Sequence, residues 1–233
     1  MNTQPTLRRD LTWMLAALLA LLLWELSGLD LDSMRLWGSA GGFAWRDAWL
    51  TSTLLHEGGR QLAWLVLALM ALDAWRQWLD GPSRAERLRA IAASLMAVLL
   101  VPSIKRASTT SCPWDLAEFG GLARYVPHWQ LGVFDGGPGH CFPSGHAAAG
   151  FAFFSLYLLW RGHRPRLARG LLAGVLLVGA LFGWAQMVRG AHYPSHSLWS
   201  AWLCWVVVWL VHRSPGLGRA RLALQSRVRQ PSA

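Results

Sequence analysis

The stretch Phe142-Pro143-Ser144-Gly145-His146 stands directly before an apolar run. Proline ends the preceding loop and a serine side chain can cap a first turn, so the stretch predicts the start of a helix. The free N–H groups of that turn form an anion site with the positive end of the helix dipole. Gly145 allows a close backbone approach, and His146 could donate a proton to a leaving oxygen. A capped helix with an incidental histidine is the alternative.

Apolar runs of membrane length recur on both sides of this stretch. The chain is 54% hydrophobic and only 15% charged, whereas a soluble domain carries about 25% charged residues. Roughly 17–25 apolar residues are needed to cross a bilayer as a helix. The sequence therefore predicts an all-α integral membrane protein with six transmembrane helices in a single domain, 1–233. The predicted spans are 11–29, 50–75, 88–104, 145–160, 170–188 and 197–212.

The net charge of +10 raises the question of nucleic-acid binding, but the basic residues show neither a basic face interleaved with aromatics nor a known module. Fifteen of the 22 lie before the first span, around residues 76–89, in 161–169 and in the tail 213–233. This asymmetry is the positive-inside bias. It predicts a multi-pass protein of a bacterial cytoplasmic membrane, with both termini and the tail in the cytoplasm.

This topology brings the chemically active side chains to one side of the membrane. The third predicted span ends at Lys105 and the fourth begins at His146, while the fifth ends at Arg189 and the sixth begins after His192. A lysine at a span end can be a simple interfacial anchor. Lys105 is the only lysine beside 21 arginines, which favours a functional role. We expect a site at the outer membrane–water interface, facing the periplasm.

The spacing of these residues resembles the type-2 phosphatidic acid phosphatase superfamily over about 105–196. That superfamily carries the motifs K-x6-R-P, P-S-G-H and S-R-x5-H-x3-D. Lys105, the Pro-Ser-Gly-His at 143–146 and His192 match these motifs. Three positions depart from them, because Cys112 and Gln186 stand where the family has arginines and His196 stands where it has aspartate.

The resemblance implies a division of roles within the site. His192 would be the nucleophile and form a phosphohistidine, His146 would protonate the leaving oxygen and then activate water, and His196 would orient His192. Arg189 lies three residues after Gln186 on nearly the same helical face, so it could replace a missing guanidinium. The resemblance implies no cofactor. The predicted phosphate-binding residues are Lys105, Ser144, Gly145 and Arg189, with Arg60, Arg106 and Arg124 as further candidates.

Two other features leave alternatives open. His146, His192 and His196 could bind zinc, but no H-E-x-x-H motif is present and no metal is predicted. The second span is interrupted by polar residues at 56–60, where Glu57 and Arg60 could pair at i, i+3 or Arg60 could reach the phosphate. We favour the interfacial ion pair.

The chain has three cysteines. Cys112 and Cys141 fall in the long outer loop, where an oxidising compartment favours a disulfide over two free thiols. Closing a loop of about 30 residues stabilises the fold by on the order of 3–4 kcal/mol. Cys204 lies within a predicted span and is expected to be a small packing residue.

These features predict a membrane enzyme that dephosphorylates a lipid phosphate or pyrophosphate. The resemblance allows undecaprenyl pyrophosphate, which we favour, as well as phosphatidylglycerophosphate, phosphatidic acid or a lipid A phosphate. The alternatives are a lipid phosphotransferase and a catalytically silent lipid-phosphate binding or transport protein, the latter favoured by the two missing arginines. No nucleic acid and no obligate protein partner are predicted.

Overall fold

A computed structural model describes residues 4–214 of the protein, with side chains from residue 6. The predicted tail 213–233 therefore lies almost entirely outside the described residues. A short antiparallel hairpin, β1 (Gly38–Ser39) and β2 (Gly42–Phe43), pairs Gly38 with Phe43, and a π-helical segment covers Leu50–Glu57. The α-helices are α1 (Gln4–Ser27), α2 (Leu29–Arg35), α3 (Gly58–Arg76), α4 (Arg84–Ala107), α5 (Gly145–Phe151), α6 (Phe154–Trp160), α7 (Pro165–Val188) and α8 (Pro194–Arg213).

Four helices within residues 4–214 are long and apolar enough to cross a membrane, by length and composition: Thr6–Ser27 of α1, and all of α4, α7 and α8. They carry many exposed apolar side chains, such as Trp13 at 69% and Leu177 at 70% exposure. In water such surfaces would favour association, whereas lipid chains cover them at no cost. The other two predicted spans are built differently, one from the π-helical segment and α3, and one from α5 and α6.

The predicted span 145–160 has the bounds of α5 and α6 together, with a turn at Ala152 and Phe153 between the two helices. A neighbouring side chain fills the gap. Ser94 of α4 donates its hydroxyl to the Ala152 carbonyl at 3.0 Å and lies 2.7 Å from the Ser155 hydroxyl. A side chain inserted beside the backbone ladder is a common cause of a helix break.

The break leaves α5 pressed against α7. A Cβ atom built on Gly150 would lie 2.7 Å from the Cα of Gly179, closer than real Cβ atoms approach. Glycine at position 150 therefore lets the two backbones touch, as small residues do at membrane helix crossings, and glycine at position 179 leaves room for the Phe151 ring, which a Cβ would meet at 2.3 Å. The start of α5 is thereby fixed beside the end of α7.

Polar contacts attach α1 and α2 to the bundle at its two ends. At one end, Arg161 donates to both carboxylate oxygens of Asp10, at 2.7 and 2.9 Å. At the other end, Asp30 accepts from the Ser195 backbone N–H at 3.0 Å and from its hydroxyl. The second contact anchors the first turn of α8, which carries residues of the candidate site.

Candidate active site

One end of the bundle gathers the motif residues. Here α4 and α7 end, α5 and α8 begin, and the loop 108–144 covers the gap between them. The turn after α7 needs glycine, because Gly190 has a φ of +74° and a Cβ there would meet the Phe43 ring at 2.3 Å. This turn carries His192 into the interior, where 4% of its surface is exposed.

His192 and His196 form a buried pair. Their Nδ1 atoms lie 3.4 Å apart, and the backbone N–H groups of Ala191 and His192 both donate to the Gln186 carbonyl, at 2.8 and 3.3 Å. A proton shared between the two Nδ1 atoms leaves the Nε2 of His192 free for attack. The structure thus brings His196, which stands at the family's aspartate position, into contact with His192.

The electrostatic surroundings keep His192 neutral. Burial is the main cause, and with the positive charge of Lys105 it holds the pKa of His192 well below its usual value. A neutral imidazole is the form that can act as a nucleophile. Lys105, in the last turn of α4, is therefore near enough to act on the site.

Ser144 caps α5 and ties it to α8. Its hydroxyl accepts from the Ala147 N–H at 3.4 Å, its own N–H donates to the His196 carbonyl at 3.2 Å, and its carbonyl accepts from the Ser200 hydroxyl at 2.8 Å. Ser144 is fully buried, whereas a Cβ on Gly145 would meet nothing within 4 Å. The Gly145 backbone, rather than the Ser144 side chain, faces open space.

His146 is held in a defined tautomer. Its Nε2 lies 2.8 Å from the Leu55 carbonyl, and because a carbonyl only accepts, Nε2 carries the proton. Its ring stacks on Phe182 with centroids 4.6 Å apart. Nδ1 is therefore the nitrogen left for proton transfer.

Of the arginines predicted to bind phosphate, some lie near the site histidines and others do not. The charge of Arg189 acts on His146, although its Nε donates to the Arg46 carbonyl at 2.8 Å. Arg60 pairs with Glu57 at 2.6 Å, as the ion-pair interpretation expects.

Arg124 and Arg106 stand apart from this group. Arg124 donates to the Phe134 carbonyl in the covering loop. Arg106 is exposed, and its side chain has no hydrogen bond or ion pair in the described part of the chain. The structure does not bring these two arginines to the histidines.

Sequence reasoning underrated one residue of the site. His56, at the end of the π-helical segment, lies with its ring centroid 4.5 Å from that of His146, and its Nδ1 lies 3.2 Å from the Gln186 side-chain nitrogen. The signal in the sequence was the polar interruption of the second span, which we interpreted as an ion pair at the interface.

Cys112 and Cys141 are joined by a disulfide, with Cα atoms 5.1 Å apart. The Cys141 sulfur lies 3.6 Å from the Nδ1 of His192, so the bridge ties the covering loop to the site. Cys141, His192 and His196 are also the described residues whose ligand-type atoms cluster within 4.8 Å. A sulfur in a disulfide cannot supply the thiolate that zinc binds.

We expect alkylation of the denatured protein to label one cysteine without a reductant and three with one. Cys204, a free buried thiol, is the internal control because unfolding alone exposes it. Reduction should lower the free energy of unfolding by on the order of 3–4 kcal/mol. Mass spectrometry counts the labels, and labelling of all three thiols without reductant would exclude the bridge.

A comparison with family models matches residues 87–218 to the PAP2 superfamily. The chain belongs to the PAP2 superfamily. The matched segment runs from α4 through α8 and includes every residue of the three motifs, so the resemblance seen in the sequence is confirmed. With the four membrane-length helices, it makes the protein a multi-pass membrane protein.

Among solved structures, the PAP2 chain is similar to the first transmembrane PAP2-type phosphatidylglycerolphosphate phosphatase from Bacillus subtilis. The TM-score is 0.51 at 16% sequence identity, and the alignment covers 85% of this chain and 93% of that one. At this identity the likeness concerns the fold. A sequence search of curated proteins finds no match.

Proposed function

We propose that the protein hydrolyses a lipid phosphate or pyrophosphate, without a metal, through a phosphohistidine on His192. The observation that carries the proposal is the buried pair of His192 and His196, whose Nδ1 atoms lie 3.4 Å apart. Membership of the PAP2 superfamily supports phosphatase chemistry, and the named activity of the similar Bacillus subtilis enzyme supports a lipid substrate.

The proposed reaction has two steps. Nε2 of His192 attacks phosphorus while the bond to the leaving oxygen breaks. That oxygen takes the Nδ1 proton of His146, which begins the step as the imidazolium and ends it as the neutral ring with its Nε2–H bonded to the Leu55 carbonyl. A water then gives a proton back to His146 and attacks the phosphohistidine, which releases phosphate and restores His192. Lys105, Arg189 and the Gly145 amide stabilise the phosphoryl charge, because phosphoryl transfer depends mainly on positioning and charge stabilisation.

An apolar cleft of about 210 Å³ supports a lipid substrate. It lies between α3, α5, α6 and α7, and Phe182, which stacks on His146, lines one part of it. A hydrocarbon chain in the cleft would leave its phosphate beside the histidines. The cleft suits any such chain, so undecaprenyl pyrophosphate remains our first choice without excluding the phosphatidylglycerophosphate suggested by the similar structure.

The proposed arrangement in the membrane has six spans. The second would comprise the π-helical segment with α3, and the fourth α5 with α6. The distribution of basic residues supports cytoplasmic termini, which would put the candidate site at the outer face of a bacterial cytoplasmic membrane. A single domain, 1–233, with its motif core at 105–196 fits this arrangement.

Phosphate release by the purified protein from a panel of lipid phosphates and pyrophosphates, with EDTA present, tests the proposal. The panel contains the four lipid classes named above, and a second lipid as acceptor distinguishes transfer from hydrolysis. Release that is lost in His192→Ala would establish the phosphatase. Tight binding of one lipid without release would instead establish the silent binding protein.

Replacing Arg189 by alanine should raise KM for the lipid phosphate about tenfold or more, because a charge-assisted contact to the phosphoryl oxygens would be lost. Arg166→Ala, in the first turn of α7 at the opposite end of the same helix, is the matched control. Steady-state kinetics measures the effect. Equal KM values for both variants would show that Arg189 is no phosphate ligand.

A further inference from the structure

The π-helical segment Leu50–Glu57 forms one wall of the site. π-Helical geometry is rare and is often found at functional sites. The segment makes two adjacent contacts with the motif residues: the Leu55 carbonyl accepts from His146, and the next residue, His56, contacts Gln186. A part of the chain outside the three family motifs is thus joined to two of the motif positions.

The contacts of His56 define which of its nitrogens is free. The side-chain nitrogen of Gln186 donates to Nδ1 at 3.2 Å, so the ring proton lies on Nε2. Nε2 is 3.9 Å from the nearest Glu57 oxygen, beyond hydrogen-bond distance, and the His56 side chain is 39% exposed. This N–H group therefore has no acceptor among the described residues and is open to a ligand.

The position of Gln186 relates the free N–H group of His56 to the missing arginine. Gln186 stands where the family motif has an arginine, yet its buried side chain ends on the His56 ring and its backbone carbonyl holds the His192 loop. A guanidinium reaching from position 186 would occupy the space of the imidazole. The His56 N–H is then a donor at the position that the motif arginine would reach.

We propose that His56 is a further catalytic residue that contacts the phosphoryl group, with Nε2–H donating to a phosphoryl oxygen in place of the missing arginine. This inference rests on the proposed function and names a phosphate-binding subsite within it. The charged groups around His56 fit an anion, since Arg189, Arg60 and Lys105 are positive and, among the described residues that act on His56, Glu57 is the negative one. Glu57 is itself paired with Arg60.

A supporting role is the competing explanation, because the His56 ring also packs against His146. The two explanations differ in what can replace His56. A phosphate donor can be replaced by any side chain that brings an N–H group to the same point, including one from position 186. A packing residue needs an aromatic ring and gains nothing from a guanidinium.

The experiment compares His56→Ala, Gln186→Arg and the double variant, with binding of inorganic phosphate measured by calorimetry beside lipid turnover. His56→Ala should weaken phosphate binding about 10- to 100-fold, the loss of a hydrogen bond to a charged group. Gln186→Arg alone should also be impaired, because arginine and imidazole compete for one space. The double variant should recover to within several-fold of the native protein.

His163→Ala, at the opposite end of the bundle, is the matched control, and His56→Gln, which keeps a donor near Nε2, should retain most binding if His56→Ala unfolds. Unchanged phosphate binding in His56→Ala, or a double variant no better than His56→Ala while both melt as the native protein does, would overturn the proposal. Calorimetry separates the proposed phosphatase activity from the proposed subsite. Phosphate binding that depends on His56, in a protein without lipid turnover, would contradict only the phosphatase activity. Lipid turnover that is unchanged in His56→Ala would contradict only the subsite.

Discussion

His192→Ala is expected to lower phosphate release about 10³-fold or more, because the variant lacks the atom that forms the covalent bond to phosphorus. Binding of the lipid should change far less, since its tail and the cations remain. A lipid phosphate that is radiolabelled in its phosphoryl group measures the intermediate directly. The reaction is stopped rapidly without acid, because acid hydrolyses phosphohistidine, and the label bound to the protein is counted. The native protein should carry label on His192, and the variant should carry none.

His196→Ala is the matched comparison for this variant. His196 contacts His192 but not phosphorus, so its loss should slow the reaction without removing the labelled intermediate. Label on a residue other than His192, or turnover by His192→Ala at a rate near that of the native protein, would refute the nucleophile assignment.

The burial of His192 also fixes the direction of the pH dependence. Its pKa lies well below the usual value of about 6.5 because burial and Lys105 disfavour the cation. His192 therefore stays neutral when the pH is lowered through 6.5. A decrease in kcat/KM that is caused by protonation of His192 should occur only at a lower pH. The acidic side of the pH dependence of kcat/KM is measured on the native protein together with the His192 experiments.

His146→Ala should lower kcat about 10²–10⁴-fold, the usual contribution of a positioned acid or base, with a much smaller change in KM. For formation of the phosphohistidine, the loss of rate in His146→Ala should be smaller with an aryl phosphate of an acidic phenol than with the lipid. The phenolate leaves without taking up a proton. The second step would still lack its base. The variant should then accumulate phosphohistidine, which single-turnover labelling detects.

His212→Ala provides the control for His146, since His212 lies in the last turn of α8, at the end remote from the site. It should leave both steps unchanged. If His146→Ala lost equal rate with the lipid and the aryl phosphate and accumulated no intermediate, proton transfer would not be the role of His146.

The sequence could predict the architecture because its signals are local. Lys105, the Pro-Ser-Gly-His at 143–146 and His192 each stand at the end of an apolar run, and helix polarity alone brings those ends together. The three motif positions came from the resemblance to the superfamily, and the disulfide partners came from their shared place in an outer loop. Membrane-length runs also indicated α1, α4, α7 and α8.

Other features depend on contacts between distant residues and were not predictable. The break at Ala152 is stabilised by Ser94, which lies 58 positions earlier, and nothing in 145–160 itself signals it. The role of Gln186 depends in the same way on His56, 130 positions away. The sequence shows that the arginine is missing at position 186. Only the folded structure shows that His56 contacts the residue at that position.

The contact between Gly150 and Gly179 has an evolutionary consequence. Because the Gly150 backbone meets the Gly179 backbone there, with the Phe151 ring beside it, the spacing between the helix that begins with His146 and the helix that leads to His192 does not depend on the size of the side chains of α3. Residues along the cleft, such as Leu62 and Val66 of α3, can change without moving the reacting groups. A lineage of this enzyme could therefore exchange one lipid tail for another by point mutations while the chemistry is inherited intact.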